Sequence, residues 1–251
     1  MKETQTQHLL EGNISIKAAL LSGNRILYSL IVDKKKKDRD TLFILKEAKR
    51  KKVTIQYKSR EEIDALSSGK THGGLLAYCG ERKFQTLEEL LHTKPCFLAF
   101  IEGIEDPFNF GYIVRTLYAA GCKGILIPPR NWTSAASTVA KSSAGASEYI
   151  PMCIVDDFPS VLQQFKQNNI ALLCGHRKDA IALYDFTFPK KFCLAIGGEM
   201  RGLSKQVIEQ SDQNLYIPYH QEFKNALNAA SATAVFAFEI ARQHYQKNSN
   251  F

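Results

Sequence analysis

Residues 217–231 read IPYHQEFKNALNAAS, and the chain continues as ATAVFAFEIARQHY to Tyr245. A short strand-like run, Asn214–Ile217, is followed by a proline and a polar loop. Val235, Phe236, Phe238 and Ile240 then mark a strongly apolar helix, expected over Ala226–Tyr245, that seeks a core or an interface. Asn228 puts a carboxamide at the start of that helix, where it serves as a cap or as a group organising a pocket.

Two further clusters sit in the same setting, at the end of an apolar strand-like run. The first is Glu105-Asp106-Pro107-Phe108-Asn109-Phe110-Gly111, leading into a helix over Gly111–Ala120 that carries Arg115. Pro107 restrains the loop, Asn109 can cap the helix, and Arg115 lies one to two turns in, facing back toward the loop. A capped helix start with a guanidinium is suited to holding phosphate. The second cluster ends the run Leu194-Ala195-Ile196 in Gly197-Gly198-Glu199 and closes with Gly202. Such glycines let a ligand approach the backbone. The spacing is neither the dinucleotide fingerprint nor a Walker loop.

From Phe97 onward, apolar strands (97–104, 124–128, 149–155, 170–175, 192–197, 214–217) alternate with helices, among them 134–144, 158–167 and 204–211. This predicts an α/β fold with a mostly parallel sheet covered on both faces. In such sheets ligands collect outside the carboxyl ends of the strands, where all three clusters fall. Upstream, residues 14–21, 40–51 and 61–66 read as helices and 26–32, 53–57 and 74–78 as strands. The expected division is a small α/β domain over 1–85, a linker over 86–96 with a short helix at 87–91, and a larger domain over 97–251.

Charge is concentrated upstream. The chain carries +8 overall, and residues 1–90 hold 18 Lys and Arg against 12 Asp and Glu. The runs Lys34-Lys35-Lys36-Lys37 and Lys49-Arg50-Lys51-Lys52 in one small domain favour a polyanionic partner, most simply RNA or DNA. The six cysteines show no metal spacing, and neither a signal-peptide core nor a membrane span is visible, so a reduced, cytoplasmic, metal-free protein is expected.

The order and spacing of Asn109-x-Gly111-x-x-x-Arg115, Gly197-Gly198-Glu199-x-x-Gly202 and Ala226-Leu227-Asn228 resemble the three motifs of the SpoU (TrmH-type) RNA ribose 2′-O-methyltransferases. Asp106-Pro107, Ala140-Lys141, Ala144-Gly145-Ala146 and Leu203 match as well. Glu11-Gly12-Asn13 and Thr71-His72-Gly73-Gly74 correspond to signposts of the substrate-binding domain found on the rRNA-modifying members. The resemblance implies a trefoil knot in the C-terminal sheet, a homodimer whose partner completes each site, and S-adenosylmethionine as cofactor. It assigns cofactor contacts to Gly175, Gly197, Gly198, Ile217 and Leu227, and catalysis to Arg115, Asn109, Glu199 and Asn228. RNA contacts fall to Lys34, Lys35, Lys36, Lys37 and Arg115.

A guanidinium scarcely deprotonates, so Arg115 is assigned to orienting phosphate and stabilising a developing alkoxide, with Glu199 positioning Arg115 or its loop. One position departs from the family. Alanine at 226 stands where the third motif usually has serine, and it removes a hydroxyl. The expected activity is 2′-O-methylation of structured RNA, 23S rRNA first, with a non-catalytic RNA-binding or ribosome-assembly protein, or a tRNA 2′-O-methyltransferase, as the alternative. A nicotinamide enzyme is disfavoured by the missing fingerprint.

Overall fold

The computed structural model describes residues 7–67, 69, 71–94, 96–129 and 135–248. Chain order begins with β1 (His8–Glu11), α1 (Asn13–Ser22), β2 (Leu27–Asp33), α2 (Arg39–Arg50), β3 (Thr54–Lys58), α3 (Arg60–Leu66) and β4 (Leu75–Cys79). It continues through α4 (Leu87–His92), β5 (Phe97–Glu102), α5 (Pro107–Ala119), β6 (Gly124–Ile127), α6 (Ala136–Ser142), α7 (Ala146–Tyr149) and β7 (Met152–Ile154). The last part holds α8 (Phe158–Gln167), β8 (Ala171–Gly175), β9 (Ala180–Ala182), β10 (Phe192–Gly197), α9 (Lys205–Glu209), β11 (Gln213–Tyr216) and α10 (Ala229–Asn248).

The chain divides into two compact units, residues up to Lys83 with the described part of 131–149, and the remainder. In the first, a sheet of order β1-β4-β2-β3 is antiparallel except where β2 runs parallel to β3. Alternation along the strands splits its two faces. Leu10, Leu30, Val32, Leu75 and Ala77 pack with Ile16 and Leu20 of α1, Ile44 of α2 and Ala140 of α6, whereas Ile31 and Leu76 pack with Ile63 of α3. Ser59 and Glu62 form a capping box that starts α3, and Asp38 caps α2 through the Thr41 N–H at 3.0 Å.

The second unit is a seven-stranded sheet of order β7-β6-β5-β10-β8-β11-β9, in which every strand pairing among the described residues is parallel. Its core includes Leu98, Phe100, Leu126, Phe165, Leu172, Cys174, Cys193 and Ala195. Burial pushes the Cys174 thiol up to about 11 and the Cys122 thiol up to about 12, so these cysteines are small hydrophobes.

Several expectations change. Residues 135–149 belong with the first unit, so the larger domain is interrupted in sequence. The expected linker contributes α4, whose Leu90 and Leu91 are buried in the second unit's core. The strand expected over 149–155 shrinks to Met152–Ile154, because Ala146–Tyr149 closes a helical turn after the left-handed residues Ala144 and Gly145. Ser134 lies outside the described residues, and its helix runs Ala136–Ser142. The strands β1 and β9 are additional. β9 is a three-residue edge strand beside β11, too short to show a period.

Candidate active site

The carboxyl ends of β8, β10 and β11 meet around a cavity of about 360 Å³. Gly175, Gly197, Gly198, Ile217 and Leu227, the five residues named for cofactor contact, all line it. Ile196, Leu203, Leu215 and Phe236 supply apolar wall, and His176, Arg177, Glu199 and Tyr219 bring polar groups. The volume lies within the ~300–1,000 Å³ of small-molecule sites, and apolar walls with few polar groups are their usual composition.

The glycines also have a packing task that the sequence did not show. A Cβ on Gly198 would lie 1.9 Å from the Gly103 carbonyl oxygen, and one on Gly197 would lie 2.3 Å from the backbone of Gly202 and Leu203. Their first task is to let protein backbone cross protein backbone. The Gly198 N–H donates to the Glu102 carbonyl at 2.8 Å, and the Gly202 N–H donates to the Gly198 carbonyl at 2.9 Å. Gly202 itself has φ +64°, the left-handed turn that closes the loop. The Glu102 carboxylate accepts the Ser204 N–H at 2.6 Å and fixes the far side.

The third cluster closes the cavity from above. The Leu227 N–H donates to the Tyr219 hydroxyl at 3.0 Å, and the Arg177 guanidinium lies 4.9 Å from the centre of the Tyr219 ring. Arg177 Nη2 also donates to the Asn225 carbonyl at 3.4 Å. Sequence reading missed Arg177, His176 and Tyr219, because no motif marks them. The signal at hand was position, since His176 and Arg177 directly follow a strand-ending glycine.

Asn228 stands before the first residue of α10, and its Oδ1 accepts the Ser231 N–H at 2.7 Å. It is thus a helix cap, exposed, and lines neither cavity around the motif loops. Ala226, exposed, lines the larger one. Glu199 reaches the same helix start, accepting the Ala229 N–H at 3.4 Å, where a carboxylate also meets the positive end of the helix dipole.

Glu199 borders a second, smaller cavity of about 130 Å³, shared with Gly103, Asp106, Asn109 and Met200. Here the expected cap is corrected. Asp106, not Asn109, caps α5, accepting the Phe108 N–H at 3.3 Å and the Asn109 N–H at 2.9 Å, with Pro107 in the first helical position. Proline favours that position, so the Asp-Pro pair was the readable signal. The Asn109 carboxamide makes no hydrogen bond among the described residues. Arg115 is exposed on α5, lines neither cavity and has no ion pair or hydrogen bond among the described residues. The structure therefore brings Asn109 and Glu199 together and leaves Arg115 and Asn228 apart from them.

In the first unit, Lys34, Lys35 and Lys37 are exposed, whereas Lys36 is held by Asp38 at 2.8 Å. That pairing and the Thr41 hydrogen bonds hold the Asp38 carboxyl well below the usual carboxylate range. In the second basic run Arg50 pairs with Glu47, and Lys51 bonds the Leu20 carbonyl.

Comparison with known proteins gives the arrangement a context. The SpoU rRNA methylase family matches residues 96–238, and the RNA 2′-O ribose methyltransferase substrate-binding family matches residues 9–85. A Staphylococcus epidermidis protein assigned to the TrmH family of tRNA/rRNA methyltransferases is 29% identical over 245 residues, covering 95% of this chain and 96% of the relative. The SpoU methyltransferase AviRb from Streptomyces viridochromogenes, solved with AdoMet, superposes with TM-score 0.80 at 20% identity, over 96% of this chain and 91% of that one. The A. aeolicus TrmH/SpoU tRNA modifying enzyme gives TM-score 0.55 at 22% identity, over 64% of this chain and 84% of that one. At these structural identities the likeness is one of fold.

Proposed function

The chain belongs to the SpoU rRNA methylase family, and on that premise we propose that it methylates a ribose 2′-hydroxyl of structured RNA, with rRNA the favoured substrate. The observation that carries the proposal is the cavity of about 360 Å³ at the carboxyl ends of three parallel strands, walled by Gly175, Gly197, Ile217 and Leu227. Its apolar walls and narrow, glycine-lined floor fit S-adenosylmethionine, which supplies an activated methyl on a sulfonium. The substrate-binding match over residues 9–85 and the exposed Lys34, Lys35 and Lys37 support RNA as partner. Preference for rRNA rests on domain content. The likeness to an rRNA methyltransferase from Sinorhizobium meliloti covers 97% of this chain, whereas that to the tRNA-modifying enzyme spans 64% of it.

Asn109 and Glu199 border the smaller cavity beside the cofactor site, where the ribose is brought in line with the methyl group. Arg115 steers the phosphate and stabilises the developing alkoxide, and it does so in a homodimer, completing the partner's site. Its exposure outside both cavities of the single chain supports this. So do Phe108 and Tyr112 of α5 and Phe238 of α10, large apolar side chains left exposed on two helices that pack together. The enzyme works in the cytoplasm, where its RNA is.

The test is transfer of labelled methyl from S-adenosylmethionine to rRNA from cells lacking the protein. Wild type is expected to transfer, and Arg115→Ala to lose at least a hundredfold in rate. Absence of transfer by wild type would sink the proposal. Ala226 favours the rival reading, because the cavity lining lacks a hydroxyl there. That reading expects RNA binding, dependent on Lys34–Lys37, without methyl product.

A further inference from the structure

A third cavity, of about 540 Å³, opens beside the cofactor site and shares Arg177, Tyr216, Ile217 and Tyr219 with it. Its outer lining is Gln221, Glu222, Phe223 and Lys224, all exposed, on the loop between β11 and α10. The loop is braced from within. Tyr219 is stacked by Arg177 and holds the Leu227 N–H, and the Asn225 carbonyl is bonded to Arg177. Phe223 lies against Tyr219 at 6.2 Å between ring centroids, yet stays 51% exposed. The braced loop thus holds a large aromatic ring half exposed to water, with Tyr219 beside it.

We propose that Phe223 is a stacking platform for a nucleobase of the RNA substrate, with Lys224 on the adjoining phosphate. The chemistry around the ring selects this occupant. An aromatic face accepts any base, a cation beside it takes the phosphate, and the acceptor oxygens of Glu222 and Gln221 suit a base with an exocyclic amine. A carboxylate at the rim disfavours a bare anion. The shared wall with the cofactor cavity places such a base next to the methyl donor's site. Single-stranded RNA is read by splayed bases on aromatic side chains, and this loop offers one such ring with its charge partner.

This inference rests on the proposed RNA methylation, and the experiment separates the two. Steady-state methyl transfer to an unmodified 23S rRNA transcript is measured for wild type, Phe223→Ala, Phe223→Trp and Lys224→Ala, together with S-adenosylmethionine affinity by calorimetry. Phe223→Ala is expected to raise KM for RNA about tenfold, with cofactor affinity within twofold of wild type. Phe223→Trp is expected to restore KM, and Lys224→Ala to lower the salt dependence of RNA binding by about one ion. If wild type transfers methyl and Phe223→Ala keeps its KM, the platform is overturned and the activity stands. Loss of cofactor affinity in Phe223→Ala overturns it too, making Phe223 cofactor wall. A KM effect in Lys224→Ala alone leaves only electrostatics and also overturns it. If wild type neither binds RNA nor transfers methyl, the activity itself fails.

Discussion

The two units solve the same packing problem by opposite means. Inside the first, Glu11, Arg25, Thr41, His72 and Glu148 are buried polar or charged groups. Inside the second, Thr233 and Glu239 are the buried polar residues among those described, and backbone packs so tightly on Gly197 and Gly198 that a Cβ there would lie within 2.3 Å of another backbone atom. A small domain buries a smaller share of its surface, and the first unit gains specificity from polar networks that each need a particular partner. The larger sheet has apolar core to spare and uses glycine to bring strand ends together at its ligand edge. In one region side-chain identity matters most, and in the other the absence of a side chain does.

Removing a charge from the first unit is the sharpest way to break that comparison. Glu148 is fully buried, and its carboxylate accepts the Arg25 Nε–H at 2.9 Å. Arg25 continues to the Gly80 carbonyl at 3.2 Å, Asn24 holds the Glu148 carbonyl at 2.8 Å, and Arg82 holds the Ser147 carbonyl at 2.8 Å. Burial lowers Arg82 to about 10, while Glu148 opposes the shift. Glu148→Ala strands a buried guanidinium and is expected to cost about 3–5 kcal/mol in denaturant unfolding. Replacing both partners by apolar residues, Arg25→Met with Glu148→Leu, recovers most of that loss. If Glu148→Ala unfolds within 1 kcal/mol of wild type, the polar network is ornament and the contrast between the units collapses.

Adding a methyl group to the second unit comes next in size. Gly198→Ala puts a Cβ against the Gly103 carbonyl, and neither backbone can yield as a side chain would. The expected cost is about 3 kcal/mol, the upper end of overpacking, with cofactor affinity falling at least tenfold in calorimetry. Gly121→Ala serves as control, since a Cβ there meets nothing within 4 Å and only its φ of +89° is strained. A Gly198→Ala protein that binds cofactor normally would show that the crossing is not what shapes the cavity.

How much of this was legible follows from the range of each interaction. The glycine pair and the strand-ending positions are local patterns, and the five cavity residues were named from the family resemblance that those patterns carry. What the glycines pack against was hidden, because Gly103 meets Gly198 from a distant part of the chain. Arg25 and Glu148 are 123 residues apart, and nothing in either neighbourhood marks them as partners. The segment 135–149 reads as part of the larger domain because it lies between two of its strands. Only contact geometry assigns it to the first unit. Arg115 marks a different boundary, since it is exposed and makes no hydrogen bond or ion pair among the described residues that would tie it to a site.

The smallest expected effect concerns the residue at which the sequence left two readings open. Asn228 caps α10 through Ser231, and Asn228→Ala is expected to cost about 1 kcal/mol. If capping is its whole contribution, Asn228→Asp retains stability, because aspartate caps as well as asparagine, and methyl transfer by both variants stays within a fewfold of wild type. A catalytic carboxamide would instead make Asn228→Asp stable and nearly inactive, with a new negative charge beside the substrate. Measuring kcat and unfolding on the same two variants separates helix from chemistry. It also bears on Ala226. If Asn228 is only a cap, the polar contacts left for substrate in this loop fall to residues on the open side, Gln221 to Lys224, and the missing serine hydroxyl matters less than the ring beside it.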